Sequence, residues 1–270
     1  MKRSPNGRSA GSRQAVMRAL RTVVLDTLRE AIRGRWIWMS VLGALCAAGI
    51  AVFARSLALT EEHALGLAFA APVARILAVL IVALSAIVSV SREQADRTLL
   101  LALAAPMSRT LWVAGKGLGL GVIALVTAAI CTLPVLFFGP SPAALLAWAA
   151  SLALELAVVA SVSLAIAIVL TQVPPAVCAV LAFYVLARDL HVVQLLAQRA
   201  ADYSELGPAG PVVQAVSLLF PRLDLFARTE WLLGTPLVAS DLAMVAVQAL
   251  VYGLLALCVA TLDLRRAQFA

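Results

Sequence analysis

The chain has 270 residues, of which 63% are hydrophobic and only 13% are charged, whereas a soluble domain is about half apolar and about a quarter charged. This composition excludes an ordinary soluble domain and indicates a membrane protein. The net charge of +7 does not indicate nucleic-acid binding, because the basic residues concentrate in the N-terminal segment and in one interior loop rather than along a soluble face.

The first predicted element is an amphipathic helix over residues 13–35. Its apolar residues recur at helical spacing while arginines occupy the other faces, a pattern typical of a helix lying along a membrane surface; the apolar residues are Val16, Leu20, Val24, Leu28 and Ala31 or Ile32. The arginine-rich start also imitates an organelle transit peptide. Because a polytopic chain follows, we favour retention of basic residues on the cytoplasmic side as the explanation.

Six apolar runs follow, each long enough to cross a membrane as a helix, which takes about 20 residues. The predicted crossings lie at about 36–54, 69–90, 115–138, 145–170, 175–196 and 241–262. The sequence therefore predicts an all-α polytopic protein, with a cytoplasmic basic tail and interfacial helix over 1–35 and a single transmembrane domain over 36–270.

The distribution of Lys and Arg predicts the orientation of these crossings. Nine of these residues lie in 1–35, four in 91–116 and two after residue 262, whereas the opposite connections contain only five. Both termini are therefore predicted to be cytoplasmic.

The fifth crossing and the connection after it are less regular. The purely apolar part of the crossing ends at Ala187, before Arg188, Asp189 and His191, which either line an exit or lie among lipid headgroups. The connection of about 197–240 contains "VVQAVSLLF" and "RLDLFARTEWLL", which are too short to span but apolar enough to enter the membrane edge. We predict two short interfacial or re-entrant helices there.

The stretch "GKGLGLG", residues 115–121, resembles a phosphate-binding loop but does not match one. A P-loop needs G-x-x-x-x-G-K-[S/T], and here Thr110 replaces the first glycine and Gly117 replaces the hydroxyl residue. The dinucleotide fingerprint fails as well, because its third glycine position holds Leu120. The spacing instead places Gly115 and Gly119 on one helix face and Gly117 and Gly121 on another, each a pair that permits close helix packing.

Three charged residues lie in or beside the predicted crossings. Lys116, at the start of the third crossing, is predicted to extend back to lipid headgroups. Glu155 and Arg75 lie well inside the fourth and second crossings, at similar depth, where charges are costly and functional by default. They either form a structural ion pair, or Glu155 faces a cavity and contacts substrate.

Metal and enzyme chemistry find little support in the residue pattern. Cys46, Cys131, Cys178 and Cys258 lie in apolar runs without paired spacing, so neither zinc nor disulfides are indicated. The two histidines, His63 and His191, lie in or beside outer connections, away from any serine or glutamate arrangement typical of intramembrane proteases. We therefore expect no catalytic residues and no metal or cofactor in this chain.

The segment "SREQADRTLLLALAAPMSRTLWVAGKGLG", residues 91–119, carries a family resemblance. It resembles the connection between the second and third crossings of type-2 ABC exporter permeases, which combines an acidic start, a "TL" with a leucine run, an "A-x-P-x-S-R" element and a "GK". The matching residues here are Glu93, Asp96, Thr98, Leu99, Leu100, Leu101, Ala105, Pro106, Ser108, Arg109, Gly115 and Lys116. Two positions depart from the pattern: Arg97 stands where a glycine is common, and Leu100 where a glutamate is.

The resemblance implies a permease subunit in the inner membrane of a bacterium, paired with a second permease copy and with two copies of a separate ATPase. ATP and magnesium would bind to that ATPase, and segment 91–114 would form the coupling helix that docks on it. The residues implied in coupling are Glu93, Asp96, Arg97, Thr98, Pro106, Ser108 and Arg109. The N-terminal "REAIRGRW" is also weakly similar to the permease of nitrous oxide reductase copper maturation, but it does not identify a substrate.

Two alternatives remain at this point. One is an intramembrane enzyme, and the other is a permease-like anchor or maturation factor that does not itself transport.

Overall fold

A computed structural model describes residues 6–57, 62–96, 108–202, 220–236 and 238–266. Within these ranges the regular structure is helical, without strands. The α-helices are α1 (Asn6–Arg33), α2 (Trp36–Ser56), α3 (Glu62–Ala95), α4 (Arg109–Leu136), α5 (Pro142–Val169), α6 (Val173–Asp202) and α7 (Ala239–Arg266).

Six of these helices, α2 to α7, are long and apolar enough to cross a membrane. The prediction of six spanning helices in an all-α protein is thereby confirmed. Several helices extend beyond the predicted apolar runs; α3 in particular begins at Glu62 and continues to Ala95. The apolar pattern under-estimates such helices because their polar ends continue the same backbone hydrogen bonding outside the hydrocarbon.

The helix starts follow from local sequence. Ser108 precedes α4, and its hydroxyl accepts a hydrogen bond from the Leu111 amide at 3.3 Å. Ser141 caps α5 in the same way, with Pro142 in the first helical position. Such caps satisfy amides that a helix start leaves unpaired.

The helices surround a core rich in small side chains. α3 and α5 contribute most of it, including Ala70, Ala74, Ala78 and Ala160, all almost fully buried. Small residues let membrane helices approach closely. By contrast, α2 and α7 expose large apolar residues such as Leu42, Leu45, Leu250 and Leu254, the surface expected of helices that contact lipid or another membrane chain.

The bundle has two distinguishable ends. At the α1 end, α3 and α7 finish and α4 begins. The start of α4 contacts the end of α7, because Arg109 Nη1 donates to the Leu264 carbonyl oxygen at 3.3 Å. The opposite end carries residues 220–236, which we call the return segment and which contain two short 3-10 helices, Leu223–Leu225 and Thr229–Leu233.

The return segment covers the second of the two predicted short interfacial or re-entrant helices, residues 222–233. It is made of 3-10 turns rather than one α-helix, and it is buried against the bundle, with Leu223 and Phe226 fully covered. The other predicted short helix, "VVQAVSLLF" at 212–220, lies outside the described residues except for Phe220.

The N-terminal helix packs against protein along part of its length. Val23, Leu28 and Ala31 contact the core, and Thr27 is buried, whereas Val16, Met17 and Ile32 are exposed. Part of the apolar surface that predicted a membrane-surface helix is therefore used to dock α1 on the bundle.

Candidate functional site

The glycine stretch of α4 lies at the contact with α1 and α7. A Cβ atom added to Gly115 or Gly119 would come within 2.8 Å of Val23 Cβ or Thr27 Cβ, both on α1. One added to Gly117 would lie 2.8 Å from the Leu257 Cδ2 atom of α7, and Gly121 has open space around it. The face formed by Gly115 and Gly119 thus receives the N-terminal helix.

Lys116, between these glycines, lies at the centre of a buried polar network. Its ammonium donates to Glu30 Oε2 at 3.1 Å, to Ser89 Oγ at 2.6 Å and to Glu93 Oε1. An ammonium has three donors, and all three are used. The Ser89 hydroxyl in turn donates to Glu30 Oε2 at 2.5 Å.

We call these four residues the lysine cluster. They join three helices: Glu30 comes from α1, Ser89 and Glu93 from α3, and Lys116 from α4. The Lys116 side chain is 1% exposed, while Glu30 and Glu93 keep 29% and 25% of theirs exposed. Lys116 was expected to reach lipid headgroups, and the structure corrects this, because two acids on neighbouring helices offer closer compensation for its charge.

The other residues of the predicted coupling segment are distributed unevenly. Asp96 is exposed immediately after the end of α3, Ser108 caps α4, and Arg109 caps the carboxyl end of α7. Arg97, Thr98 and Pro106 lie outside the described residues. Glu93 and Arg109 thus have contacts within the chain itself.

A second polar network surrounds Glu155 in the middle of α5. The Glu155 side chain is 0% exposed; its Oε1 accepts from the Tyr184 hydroxyl at 2.9 Å and from Arg188 Nη1 at 3.4 Å. We call Glu155, Tyr184 and Arg188 the carboxylate cluster. The Arg188 side chain, for which the sequence left an exit or the headgroup region open, is 23% exposed and contacts this buried acid.

Arg75, which the sequence offered as a possible ion-pair partner of Glu155, lies beside the carboxylate cluster. Arg75 is near enough to interact electrostatically with Glu155, and its Nη2 atom donates a hydrogen bond to the Thr229 hydroxyl of the return segment at 3.4 Å. Glu155 Oε2 and Arg75 Nε are buried without a hydrogen-bond partner among the described residues. The cation that contacts Glu155 directly is Arg188. The sequence could not identify it, because the rotation of each helix decides which side chains meet.

The carboxylate cluster also holds the return segment. Arg188 Nη1 donates to the carbonyl oxygens of Leu223 at 2.6 Å and Phe226 at 3.2 Å. From α5, Trp148 Nε1 donates to the Ala227 carbonyl at 3.1 Å, and Ser151 Oγ accepts from the Ala227 amide at 2.9 Å. These bonds fix Ala227 at a φ of 45°, a left-handed conformation that is unfavourable for alanine.

Sequence reasoning missed Glu30, Ser89 and Tyr184 as members of these networks. Glu30 offered a signal, as an acid in the last turns of an otherwise arginine-rich helix. Ser89 and Tyr184 offered none, because serine and tyrosine are common in membrane helices.

Among the described residues, no group of three or more His, Cys, Asp or Glu side chains is arranged to hold a metal ion. The four cysteines are free, and only Cys131 is buried. The contacts of both networks connect one helix to another: Lys116 joins α4 to α1 and α3, and Arg188 joins α6 to Glu155 of α5.

No protein-family model matches this chain, and a search of curated proteins found no significant match.

Proposed function

We propose that this chain is the membrane-spanning permease subunit of an ATP-driven exporter of the type-2 ABC class. In this proposal a second copy completes the substrate path, and a separate ATPase drives it through segment 91–114 from the cytoplasmic side. The support from sequence is the motif order of residues 91–119, together with the absence of a nucleotide-binding motif in this chain.

The observation that carries the proposal is the position of the lysine cluster. Segment 97–107 connects α3 to α4, and Lys116 bonds to Ser89 and Glu93 on one side of that connection and to Glu30 on α1. A movement of the segment caused by the ATPase would therefore displace three helices together rather than one loop. Rigid elements that move as a unit are what transmission of a conformational change requires.

Glu93 and Arg109 take a different role in this proposal from the one the motif alone implied. Because both have contacts within the chain, they hold the segment in position, while the exposed Asp96 is available for docking. Substituting Glu93 or Arg109 would disturb the fold as well as any docking surface, so neither is a clean probe of the partner.

The test is co-purification with an ATPase that carries a Walker motif and is encoded beside this chain. We expect the ATPase to bind and its rate to respond to the permease, and Asp96→Arg to weaken binding by about tenfold, as expected when a charge contact of an interface is reversed. Glu230→Arg is the matched control, since Glu230 is also exposed but lies in the return segment at the opposite end of the bundle.

The proposal would be refuted if no ATPase bound to this chain. If both variants lost ATPase binding to the same extent, segment 91–114 would not be the docking site. Binding without transport in reconstituted vesicles would instead favour the anchor or maturation factor.

A further inference from the structure

A cavity of about 280 Å³ lies where α1 meets the bundle. Its walls are mainly apolar side chains from α2, α3 and α4, including Trp36, Met39, Ile81, Leu84 and Val88. The volume approaches that of small-molecule pockets, which begin at about 300 Å³. This wall composition suits a hydrocarbon chain.

A charged cleft of about 420 Å³ adjoins the cavity. The two share Glu30, Gly34 and Arg92 in their linings, so they meet along one edge. The cleft adds Asp26, Arg29, Arg33, Glu93 and Asp96. One side of this composite pocket is therefore apolar and the other is ionic.

Most charges in the cleft already have partners. Arg29 pairs with Asp26 at 3.3 Å, and Glu30 and Glu93 both bind Lys116. Arg33, Arg92 and Asp96 are exposed, and within the described part of the chain none of the three has an ion-pair partner, so two cations and one carboxylate of the cleft remain to face a ligand. Two guanidinium groups beside an apolar cavity match an anion carried on a hydrocarbon chain, and phosphate is an anion whose geometry arginine fits well.

We infer that the composite pocket binds a membrane phospholipid. One acyl chain occupies the apolar cavity, and the phosphodiester lies on Arg92 and Arg33 in the cleft. The bound lipid stabilises the docking of α1 against α2 and α3. This inference is independent of the ATPase proposal, because it needs only the membrane around the chain.

The experiment measures lipid retention by native mass spectrometry of the full chain in detergent, after lipid removal and addition of phosphatidylglycerol. We expect one phosphatidylglycerol per chain, and little retention of a diacylglycerol with the same acyl chains but no phosphate. Arg92→Ala should weaken binding by about tenfold, the effect expected for one charge-assisted contact. Arg266→Ala is the matched control, because Arg266 is exposed on the same end of the bundle but lies outside the pocket.

A second variant tests the apolar side. Ser85 lines the cavity but not the cleft, so Ser85→Phe should fill the cavity and prevent retention, while Ser56→Phe, on an exposed position of α2, should not. Thermal unfolding in the same detergent checks the fold: added phosphatidylglycerol should raise the midpoint of the wild type but not of Ser85→Phe or Arg92→Ala. Equal retention of phosphatidylglycerol and diacylglycerol, or by Arg92→Ala and Arg266→Ala, would overturn the inference.

Discussion

The two polar networks lie at different depths of the bundle, the lysine cluster at the α1 end and the carboxylate cluster in the middle of α5 next to the return segment, and they distribute burial in opposite ways. In the lysine cluster the cation is buried and the two acids reach the surface; in the carboxylate cluster the acid is buried and the arginine reaches the surface. The lysine cluster joins three continuous helices, whereas the carboxylate cluster holds an irregular segment through its carbonyl groups. The comparison teaches that a substitution destabilises each network most when it removes the partner of a wholly buried charge.

The largest effect is expected for Arg188→Met. This change removes the cation that contacts the fully buried Glu155 carboxylate, which keeps only the electrostatic interaction with Arg75, and it removes the donor to Leu223 and Phe226. We expect a loss of about 3–5 kcal/mol in the free energy of unfolding, the range for breaking a buried ion pair. Hydrogen exchange should rise in the return segment and stay unchanged in α1. Glu155→Gln, which keeps a group able to accept from Tyr184, is the milder comparison, and an equal loss in both variants would show that charge is not the cause.

Lys116→Met should have a smaller effect, because Glu30 and Glu93 can turn toward water. We expect a loss of about 1–3 kcal/mol, the cost of leaving hydrogen-bonding groups without partners. Here hydrogen exchange should rise in α1 and not in the return segment. A matching rise at both ends would mean that the two networks are coupled, contrary to the comparison.

The glycines of α4 provide a graded series, because Gly119 contacts α1, Gly117 contacts α7 and Gly121 contacts neither. Gly119→Ala brings a methyl group against Thr27 and should cost about 1–3 kcal/mol, as overpacking does. Gly117→Ala should cost less, since the end of the Leu257 side chain can move away. Gly121→Ala is the control: it meets open space and should be neutral or stabilise the helix by about 0.5–1 kcal/mol. The midpoint of thermal unfolding in detergent ranks the three, and a cost at Gly121 as large as at Gly119 would contradict the packing explanation.

The smallest effect is expected for Arg55→Met. Arg55 pairs with Glu62 at 3.0 Å, but both side chains are well exposed, and such surface pairs contribute about 0–1 kcal/mol. The same unfolding assay should barely distinguish this variant from the wild type. A loss comparable to that of Arg188→Met would show that exposure does not control the energetics of ion pairs in this protein.

Much of the architecture could be predicted from the sequence. Apolar runs identify the six long helices, because hydrocarbon leaves the backbone no other way to satisfy its hydrogen bonds in an open chain. The local sequence predicted the return segment less well. Its apolar residues suggested a short helix, whereas hydrogen bonds with Arg188, Trp148 and Ser151 hold it in 3-10 turns. Those donors and acceptors come from helices distant in sequence, so no local pattern reports them.

The two polar networks and the glycine face were likewise predictable from the sequence only in part. The position of Glu155 inside an apolar run was enough to mark it as a charge that needs compensation, and the glycine spacing was enough to mark a close-packing face. Neither pattern specifies a partner, since that depends on how each helix is rotated and how far it is shifted along its neighbour. The sequence by itself indicated a membrane protein with six long apolar helices and with charges inside them. Only the tertiary structure decided that Lys116 joins three helices and that Arg188 contacts Glu155, because partners are chosen by distances of a few ångströms between separate helices.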